Sequence, residues 1–395
     1  MTAAARARLE VLVAGAGIAG LAAAAALARA GHSVAAIERA PALREVGAGL
    51  QLSPNAMKAL DALGAGAAIR AAGFAPEAVE LRMHASGRLV WRNPLDDAEA
   101  RFGAPYLQVH RADLLAALAE AARAAGAEIA LGETARSAAP DGALTTDRAT
   151  RRADLILAAD GVRSVLREGV AGASAPRFSG HVAFRGVVDA ARLPPGLIRP
   201  AANVWMGPRA HFVSYYLRGG ALVNFVAVVE RRDWTAEGWS APGDLPALRA
   251  RFADWHPAVT ALLDAAEEVH EWGLFAHAPL PRWSHGRVAL IGDAAHPTTP
   301  FMAQGAAMAL EDAVALARAL ETDAPEPALA AWERARKPRC TRLQAAARRN
   351  GWRFHSRSLP ERLIKAGALA AFGAVLPARA RALTDWVYAY DPAAG

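Results

Sequence analysis

The sequence predicts an α/β protein with three parts: a Rossmann-like nucleotide-binding domain, an antiparallel-sheet domain interleaved in it, and a helical C-terminal segment. Three observations predict this. A strand–helix–strand pattern opens the chain with Gly-x-Gly-x-x-Gly at its first turn. Two later apolar runs end in Asp160-Gly161 and Gly292-Asp293. From about Phe178 to Val229 the period of the pattern changes toward two, with Val, Phe, Tyr and Trp, as an antiparallel sheet requires.

The elements follow in order. Glu10–Ala14 reads as a short buried parallel strand, Ile18–Arg29 as a helix and Ser33–Glu38 as a second strand. The run from Val11 to Ala28 is uncharged, and hydropathy alone would make it a membrane span or signal peptide. Three glycines in mid-run, and a core of Ala rather than Leu or Phe, argue against both. No later segment reads as membrane-spanning, so a non-membrane, cytoplasmic protein is expected. Gly47–Ala56 reads as a Gly-rich loop feeding a helix from about Pro54. His110-Arg-Ala-Asp113 opens a helix that closes at Gly126, and Asp141-Gly142 reads as a hairpin turn. Asp154–Gly161 is a buried strand stopping at a turn, and Arg287–Asp293 repeats that pattern. A Pro-rich loop (Pro297, Pro300) and a helix from about Gly305 to Leu320 come next. From Ala328 on the chain reads as helical and basic, broken at Pro338, Pro360 and Pro377. The expected division gives residues 1–73, 100–178 and 271–325 to the nucleotide-binding domain, 74–99 and 179–270 to the substrate domain, and 326–395 to the helical region.

Composition narrows the function. The chain has 395 residues, 53% of them hydrophobic and 21% charged, so it can bury a sizeable core and is not disordered. One cysteine, Cys340, excludes an internal disulfide and a Cys-based zinc or iron–sulfur site, and suits a reducing compartment; no metal is expected. Lys plus Arg outnumbers Asp plus Glu by 45 to 38, a net +7. Spread over a chain this long, that excess reads as compositional habit rather than a nucleic-acid footprint.

The glycine spacing has a mechanical reason. Gly15 lets the chain turn sharply out of the strand, Gly17 removes a Cβ where a pyrophosphate approaches, and Gly20 lets the helix pack on the sheet. The helix start offers amides and a positive dipole to phosphates. Glu38, ending the second strand, is placed for the ribose hydroxyls of an adenosine. An Asp at a strand's carboxyl end can accept from a polyol hydroxyl, and the Gly beside it gives backbone room. Asp-Gly and Gly-Asp alone are common turns; their positions relative to the first unit give them meaning, because ligands bind beyond the carboxyl ends of parallel strands.

These segments carry a family resemblance. Gly15-Ala-Gly-Ile-Ala-Gly20, Leu157-Ala-Ala-Asp-Gly-Val-Arg-Ser164 and Leu290-Ile-Gly-Asp-Ala-Ala-His-Pro297 resemble the three fingerprints of class A FAD-dependent aromatic hydroxylases. Ala48–Asn55, Arg111 and Met302-Ala-Gln-Gly-Ala306 extend the likeness. It looks closest to salicylate hydroxylase and especially to 6-hydroxynicotinate 3-monooxygenase, the latter on His211…Tyr215-Tyr216, the Met302-Ala-Gln-Gly run and the terminal Trp386-Val-Tyr…Tyr390-Asp391.

The resemblance implies FAD as cofactor, with NADH or NADPH docking transiently, O2 and a small aromatic acid as co-substrates, and a monomer or homodimer. It gives Gly15, Gly17, Ala19, Gly20, Glu38 and Arg39 to the ADP half of FAD, and Gly49 and Arg111 to the phosphates or ribityl chain. Asp160 and Gly161 serve FAD and the nicotinamide donor, and Gly292 and Asp293 the ribitol. Pro300 lines the flavin face, and the amides of Gly305, Ala306 and Ala307 meet the charge of the reduced flavin. Dioxygen then adds at flavin C4a, and a phenolate-like ring attacks the distal oxygen of that hydroperoxide.

The protein must place the ring, exclude water and deprotonate its hydroxyl. If Ala210–Leu217 is a strand, His211, Val213, Tyr215 and Leu217 share one face, with His211 and Tyr215 roughly 13 Å apart. His211 titrates in the useful range and is the candidate base or relay, and Tyr215 the candidate hydrogen-bond donor. Gln51, Phe301 and Met302 are the candidate substrate contacts. Where the hydroxynicotinate enzymes carry histidines, this chain has Gln51 and Phe301, which makes the ring site less polar. His296 reads as structural; Trp205, Phe225 and Trp272 are candidate pocket walls. A tailoring hydroxylase of a larger aromatic, and a flavin-binding protein without hydroxylation, remain as alternatives.

Overall fold

The computed structural model describes residues 8–43, 49–172, 175–234 and 241–394; Gly47 and Ala48 of the expected Gly-rich loop lie outside them. Glu10–Ala14, Ser33–Glu38 and Leu155–Ala158 are strands of a six-stranded sheet, with the helix Ile18–Arg29 between the first two. The strand order is 284–285, 288–290, 155–158, 10–14, 33–38, 128–131. All neighbours pair in parallel except the hairpin Ser284–His285/Val288–Leu290. Both faces are covered, so Leu155–Ala158 is buried throughout, the mark of a doubly wound sheet.

The uncharged N-terminal run owes its composition to packing. Ile18–Arg29 lies against Arg111–Ala124 and Gly305–Thr322, with ten of its residues buried. Alanine on several sides lets three helices approach closely, a core role rather than a membrane one. Among the described residues no single helix is long and apolar enough to cross a membrane, although the pair Pro360–Val375 and Pro377–Tyr388, bent by 117°, passes on length and composition together.

The second sheet runs 241–242, 270–276, 177–189, 222–230, 210–217, 202–208, 78–83, 89–94. It is antiparallel but for Ala202–Pro208, which pairs in parallel with Ala78–Met83 and with His355–Ser356. Helices Leu245–Arg251 and Pro257–Ala265 cover one face over Phe184, Phe212, Phe225, Phe252 and Trp255. The other face carries Ala183, Val204, Val228, Trp272 and Leu274, and meets Phe301 and Phe354.

Two expectations are corrected. The chain after the Gly-rich turn is not a loop at 49–52: Gly49–Leu52 is a strand paired with Leu107–His110, because Leu52 is buried and its backbone finds a partner there. Pro338 does not break the C-terminal helix, which runs unbroken from Pro325 to Phe354. Pro338 and Arg334 are both exposed, so the carbonyl that proline deprives of a donor faces water. Pro360 and Pro377 do stand in first turns, where the missing N–H costs nothing.

Candidate functional site

The parallel sheet places strands 288–290, 155–158 and 10–14 side by side, so their carboxyl-end turns adjoin. Gly15 has φ +106°, and a Cβ there would stand 2.5 Å from the Ala159 carbonyl oxygen. A Cβ on Gly20 would fall 1.8 Å from the Gly15 oxygen, and one on Gly292 2.6 Å from the Ala19 Cβ. Around Gly17 and Gly161 nothing lies within 4 Å of the Cβ position. Some glycines thus lock the three turns together, and two open a space. Gly17 caps Ile18–Arg29 without a side-chain bond to its amides.

The acidic residues brace this cradle. Glu38 accepts from Ala16 N at 2.9 Å and Ala40 N at 3.0 Å, tying the second strand's end to the glycine turn; Arg39 beside it is exposed. Asp160 accepts from Val165 N at 2.9 Å. Asp293 is half-buried; burial raises its pKa, opposed by the charges of His296, Arg111 and Arg167. Arg111 opens the helix Arg111–Ala124. Arg167, which the sequence reading missed, is 2% exposed. It donates to the carbonyls of Val162 at 2.9 Å, Asp293 at 3.2 Å and Ala294 at 2.8 Å, clamping the two Asp turns. An arginine just beyond a fingerprint looks like surface, and only burial shows otherwise.

The start of Gly305–Thr322 is held by a buried polar chain. Gln304 donates to Ser53 Oγ at 2.9 Å and accepts from Asn55 at 3.0 Å, while Asn55 also donates to Glu311 at 2.7 Å. Glu311 and Asp312 take Arg336, with 2.8 Å contacts each, and Asp312 takes His296 at 2.5 Å. Ala303 enters the helix at φ +51°, a conformation that costs a non-glycine residue free energy and persists only when neighbours impose it. Gly305 and Ala306 are half-buried and Ala307 is buried. Pro300 is exposed, Phe301 buried, and Met302 half-buried with its sulfur 2.9 Å from Asn350 Nδ2.

The sheet face opposite carries the candidate chemistry. Register places Ala183, Val228 and His211 in one row, Arg185, Val226 and Val213 in the next, and Val187, Asn224 and Tyr215 in the third. His211 is 2% exposed; its ring centroid lies 5.2 Å from that of Phe301, and its Nδ1 is 2.7 Å from His355 Nε2. Burial, then the neighbouring His355 and His181, hold its pKa well below the usual imidazole value. Tyr215 packs on Gly49, where a Cβ would meet its ring at 2.5 Å, and Gly49 N donates to Asn224 at 2.7 Å. Burial pushes the Tyr215 phenol up, so it stays a donor. The structure therefore pairs Gly49 with Tyr215 and Phe301 with His211, while Gln51 accepts from Tyr106 at 2.7 Å.

Two expected walls stand elsewhere. Trp205 and Phe225 belong to the helix-covered core, not the site face, whereas Trp272 is on the site face. Arg185, not foreseen from the sequence, lies over the Trp272 ring at 5.1 Å and acts electrostatically on Tyr215.

A doubly wound sheet with three adjoining glycine and aspartate turns defines a dinucleotide-binding protein. A family model described as an FAD binding domain matches residues 8–347; the chain belongs to that family. It is 36% identical over 394 residues to the 3-amino-4-hydroxybenzoate 2-monooxygenase PtmB3 of Streptomyces platensis, covering 98% of this chain and 97% of that one. It is 41% identical over 369 residues to the 3-hydroxybenzoate 6-hydroxylase of Polaromonas naphthalenivorans (strain CJ2), covering 90% of each. The 6-hydroxynicotinate 3-monooxygenase of Bordetella bronchiseptica is 38% identical over 355 residues, covering 87% of this chain and 91% of that one. Among solved structures, a salicylate hydroxylase substrate complex superposes with a TM-score of 0.81 at 27% identity, covering 99% and 97%. The chain is an FAD-dependent monooxygenase.

The residues fit that cofactor. The room at Gly17 and Gly161 would take part of the cofactor, and the helix start, whose amides have no side-chain cap, would take phosphate. Asp293 has Arg111 and Arg167 as counter-charges across the turn.

Proposed function

We propose that the chain uses NADH or NADPH and O2 to hydroxylate a small phenolic or hydroxypyridine carboxylate beside an existing hydroxyl. The observation that carries this reading is the row arrangement of one buried cation, one phenol and one imidazole on a single sheet face. Register puts Arg185 in the row between those of His211 and Tyr215, two strands over. The two ends are roughly 13 Å apart along the strand and the arginine about 10 Å to the side, a frame for one substituted ring.

The cofactor's part is redox and oxygen-transfer chemistry. Gly15, Gly17, Ala19, Gly20, Glu38 and Arg39 hold its adenosine end; Gly49, Arg111, Asp160, Gly161, Gly292 and Asp293 hold the middle. Pro300 and the amides of Gly305, Ala306 and Ala307 meet the ring system. Arg185 pairs with the substrate carboxylate, Tyr215 donates to a ring oxygen, and neutral His211 takes the hydroxyl proton. Phe301 and Met302 present apolar surface that excludes water, and Gln51 meets the ring's far edge. Sequence segments 74–99 and 179–270 form the substrate domain, 1–73, 100–178 and 271–325 the FAD domain, and 326–395 its helical cover. The compartment we assign is the cytoplasm, with the protein a monomer or homodimer there.

The test is a panel of 3-hydroxybenzoate, salicylate, 6-hydroxynicotinate and 3-amino-4-hydroxybenzoate, scored by nicotinamide consumption and product mass. One acid should stimulate oxidation and gain one oxygen, with or without loss of carbon dioxide. FAD-loaded protein that oxidises the donor no faster with any of them would make the chain a flavin binder without hydroxylase activity.

A further inference from the structure

Beside His211 a second imidazole and a carboxylate stand in line. His355 is 4% exposed and sits on a two-residue strand beside Gly207 and Pro208. Its Nε2 meets His211 Nδ1 at 2.7 Å, and its Nδ1 lies 3.5 Å from Glu230 Oε1. At that distance the pair is a charge contact rather than a hydrogen bond, and His355 Nδ1 has no hydrogen-bond partner among the described residues, so the carboxylate acts on it by its charge. Glu230 is 18% exposed on its side chain, so the line leads from a buried base to water.

Charged and titratable groups flank this line among the described residues. Arg209 Nε lies 3.1 Å from Glu230, and Arg357 adds its charge. Burial raises the Glu230 pKa, but Arg209, His355 and Arg357 outweigh that and hold the carboxyl below its usual range. His355 faces His181, at a centroid distance of 5.0 Å, and Lys365, whose Nζ donates to its carbonyl at 3.1 Å. Burial, aided by His181 and Lys365 against Glu230, lowers His355 to about 4. His211 has Phe301 and Phe354 for its remaining ring neighbours. At neutral pH the line is therefore a carboxylate followed by two neutral imidazoles. His181, Glu230 and His355 also bring possible ligand atoms within 4.8 Å of one another. Three flanking cations oppose a dication there, whereas a line of neutral rings suits a proton.

We propose that Glu230 and His355 fix which nitrogen of His211 carries hydrogen, making His211 Nε2 the bare base of the site and giving its proton a way out. This deepens the reading of His211 above and rests on it. The carboxylate holds hydrogen on His355 Nδ1. His355 Nε2 then has a lone pair, accepts from His211 Nδ1–H, and leaves His211 Nε2 unprotonated, since the hydrogen bond made at one ring nitrogen sets the state of the other. When the substrate O–H breaks, its proton bonds to His211 Nε2. The Nδ1 proton passes to His355 Nε2, the His355 Nδ1 proton to Glu230, and from there to water. No oxidant enters these steps. Glu230 and His355 are positioning residues, acting through His211.

The test uses the full FAD-loaded chain labelled with 15N-histidine. Nitrogen shifts should show His211 protonated at Nδ1 and bare at Nε2 in the native protein. Glu230→Gln, which keeps shape and loses charge, should populate the opposite tautomer. Finding His211 protonated at Nε2 in the native protein overturns the proposal. This readout needs no turnover, so failure of the whole substrate panel would count against the substrate reading and leave the tautomer answer standing. With 3-hydroxybenzoate as the probe acid, His355→Asn should slow hydroxylation by about tenfold or more, with KM and FAD content unchanged. The deficit should shrink as pH rises and solvent ionises the phenol unaided. Native rate and native pH profile in both variants would also overturn it.

Discussion

His296 and His211 are both 2% exposed, and each lies against an aromatic ring, Trp283 at 4.9 Å and Phe301 at 5.2 Å between centroids. Yet they hold opposite states. Burial pushes both pKa values down, but Asp312, with Cys340 beside it, overrides that for His296 and holds it well above the usual value. Among the described residues the ring neighbours of His211 are His355, Phe301 and Phe354, so burial and the imidazoles prevail and it stays neutral. A carboxylate in direct hydrogen-bond contact, as Asp312 is at 2.5 Å, makes the buried His296 a fixed cation bracing a turn, whereas His211 without one is a base free to take a proton.

The cation side should break hardest. Asp312 joins His296, the Arg336 Nε at 2.8 Å and the Gly292 amide at 3.3 Å. Asp312→Asn leaves buried Arg336 with Glu311 alone and His296 without its carboxylate, and removing one partner of a buried ion pair costs about 3–5 kcal/mol. Urea denaturation should show a loss of that size, and FAD retention should weaken because Gly292 is in the cradle. A variant within 1 kcal/mol of the native protein, roughly the cost of one ordinary hydrogen bond, would mean the cluster is not an ionic lock.

On the neutral side the cost should fall on rate rather than stability. His211→Ala removes the proposed base, and turnover should drop on the order of a hundredfold with flavin content intact. Tyr215→Phe should slow turnover less, since it removes one donor and leaves the ring against Gly49. If both turn over at the native rate, the substrate lies elsewhere.

Acid should separate the two sites. A folded pKa below the unfolded one favours the fold above the ordinary imidazole value and loses that advantage as pH falls. For His355 the window runs from about 6.5 down to about 4. At about 1.4 kcal/mol per unit this is at most about 3.5 kcal/mol. His296 has the opposite sign: its raised pKa stabilises the fold below the ordinary value, and that contribution is lost as pH rises through the folded value. His355→Phe should flatten the acid slope and leave the alkaline one alone. Equal slopes in native and variant protein would remove His355 as the titrating group.

The cradle was legible in the sequence and the imidazole line was not. Strand bounds at Glu10–Ala14 and Ser33–Glu38 follow from short apolar runs punctuated by glycine, which are local signals. His355 meets His211 across 144 residues, and no period or motif encodes that meeting. Trp205 and Phe225 were misplaced for a different reason. Alternation separates two faces of a strand, but here both faces are buried, so hydrophobicity cannot say which one looks at the ligand. Glu311, Asp312 and Arg336 read as the polar face of helices until the fold turns that face inward.

Gly17 sharpens the legible side with the smallest effect on the fold, and Gly20 is its control. A Cβ at Gly20 collides with the chain's own backbone, 1.8 Å from the Gly15 oxygen, while one at Gly17 meets nothing within 4 Å. Gly20→Val should therefore fail as protein, with or without cofactor. Gly17→Val should cost the flavin-free fold only about 1 kcal/mol, the penalty for a β-branched residue at the helix N-cap. Its added methyls would stand in the space proposed for phosphate, so FAD should no longer be retained through gel filtration. Urea midpoints measured on stripped protein and flavin absorbance after reconstitution check the two halves separately. A colourless but folded Gly17→Val protein is the expected result. A fully yellow one would show that the first turn does not carry the phosphates, whatever the other two turns hold.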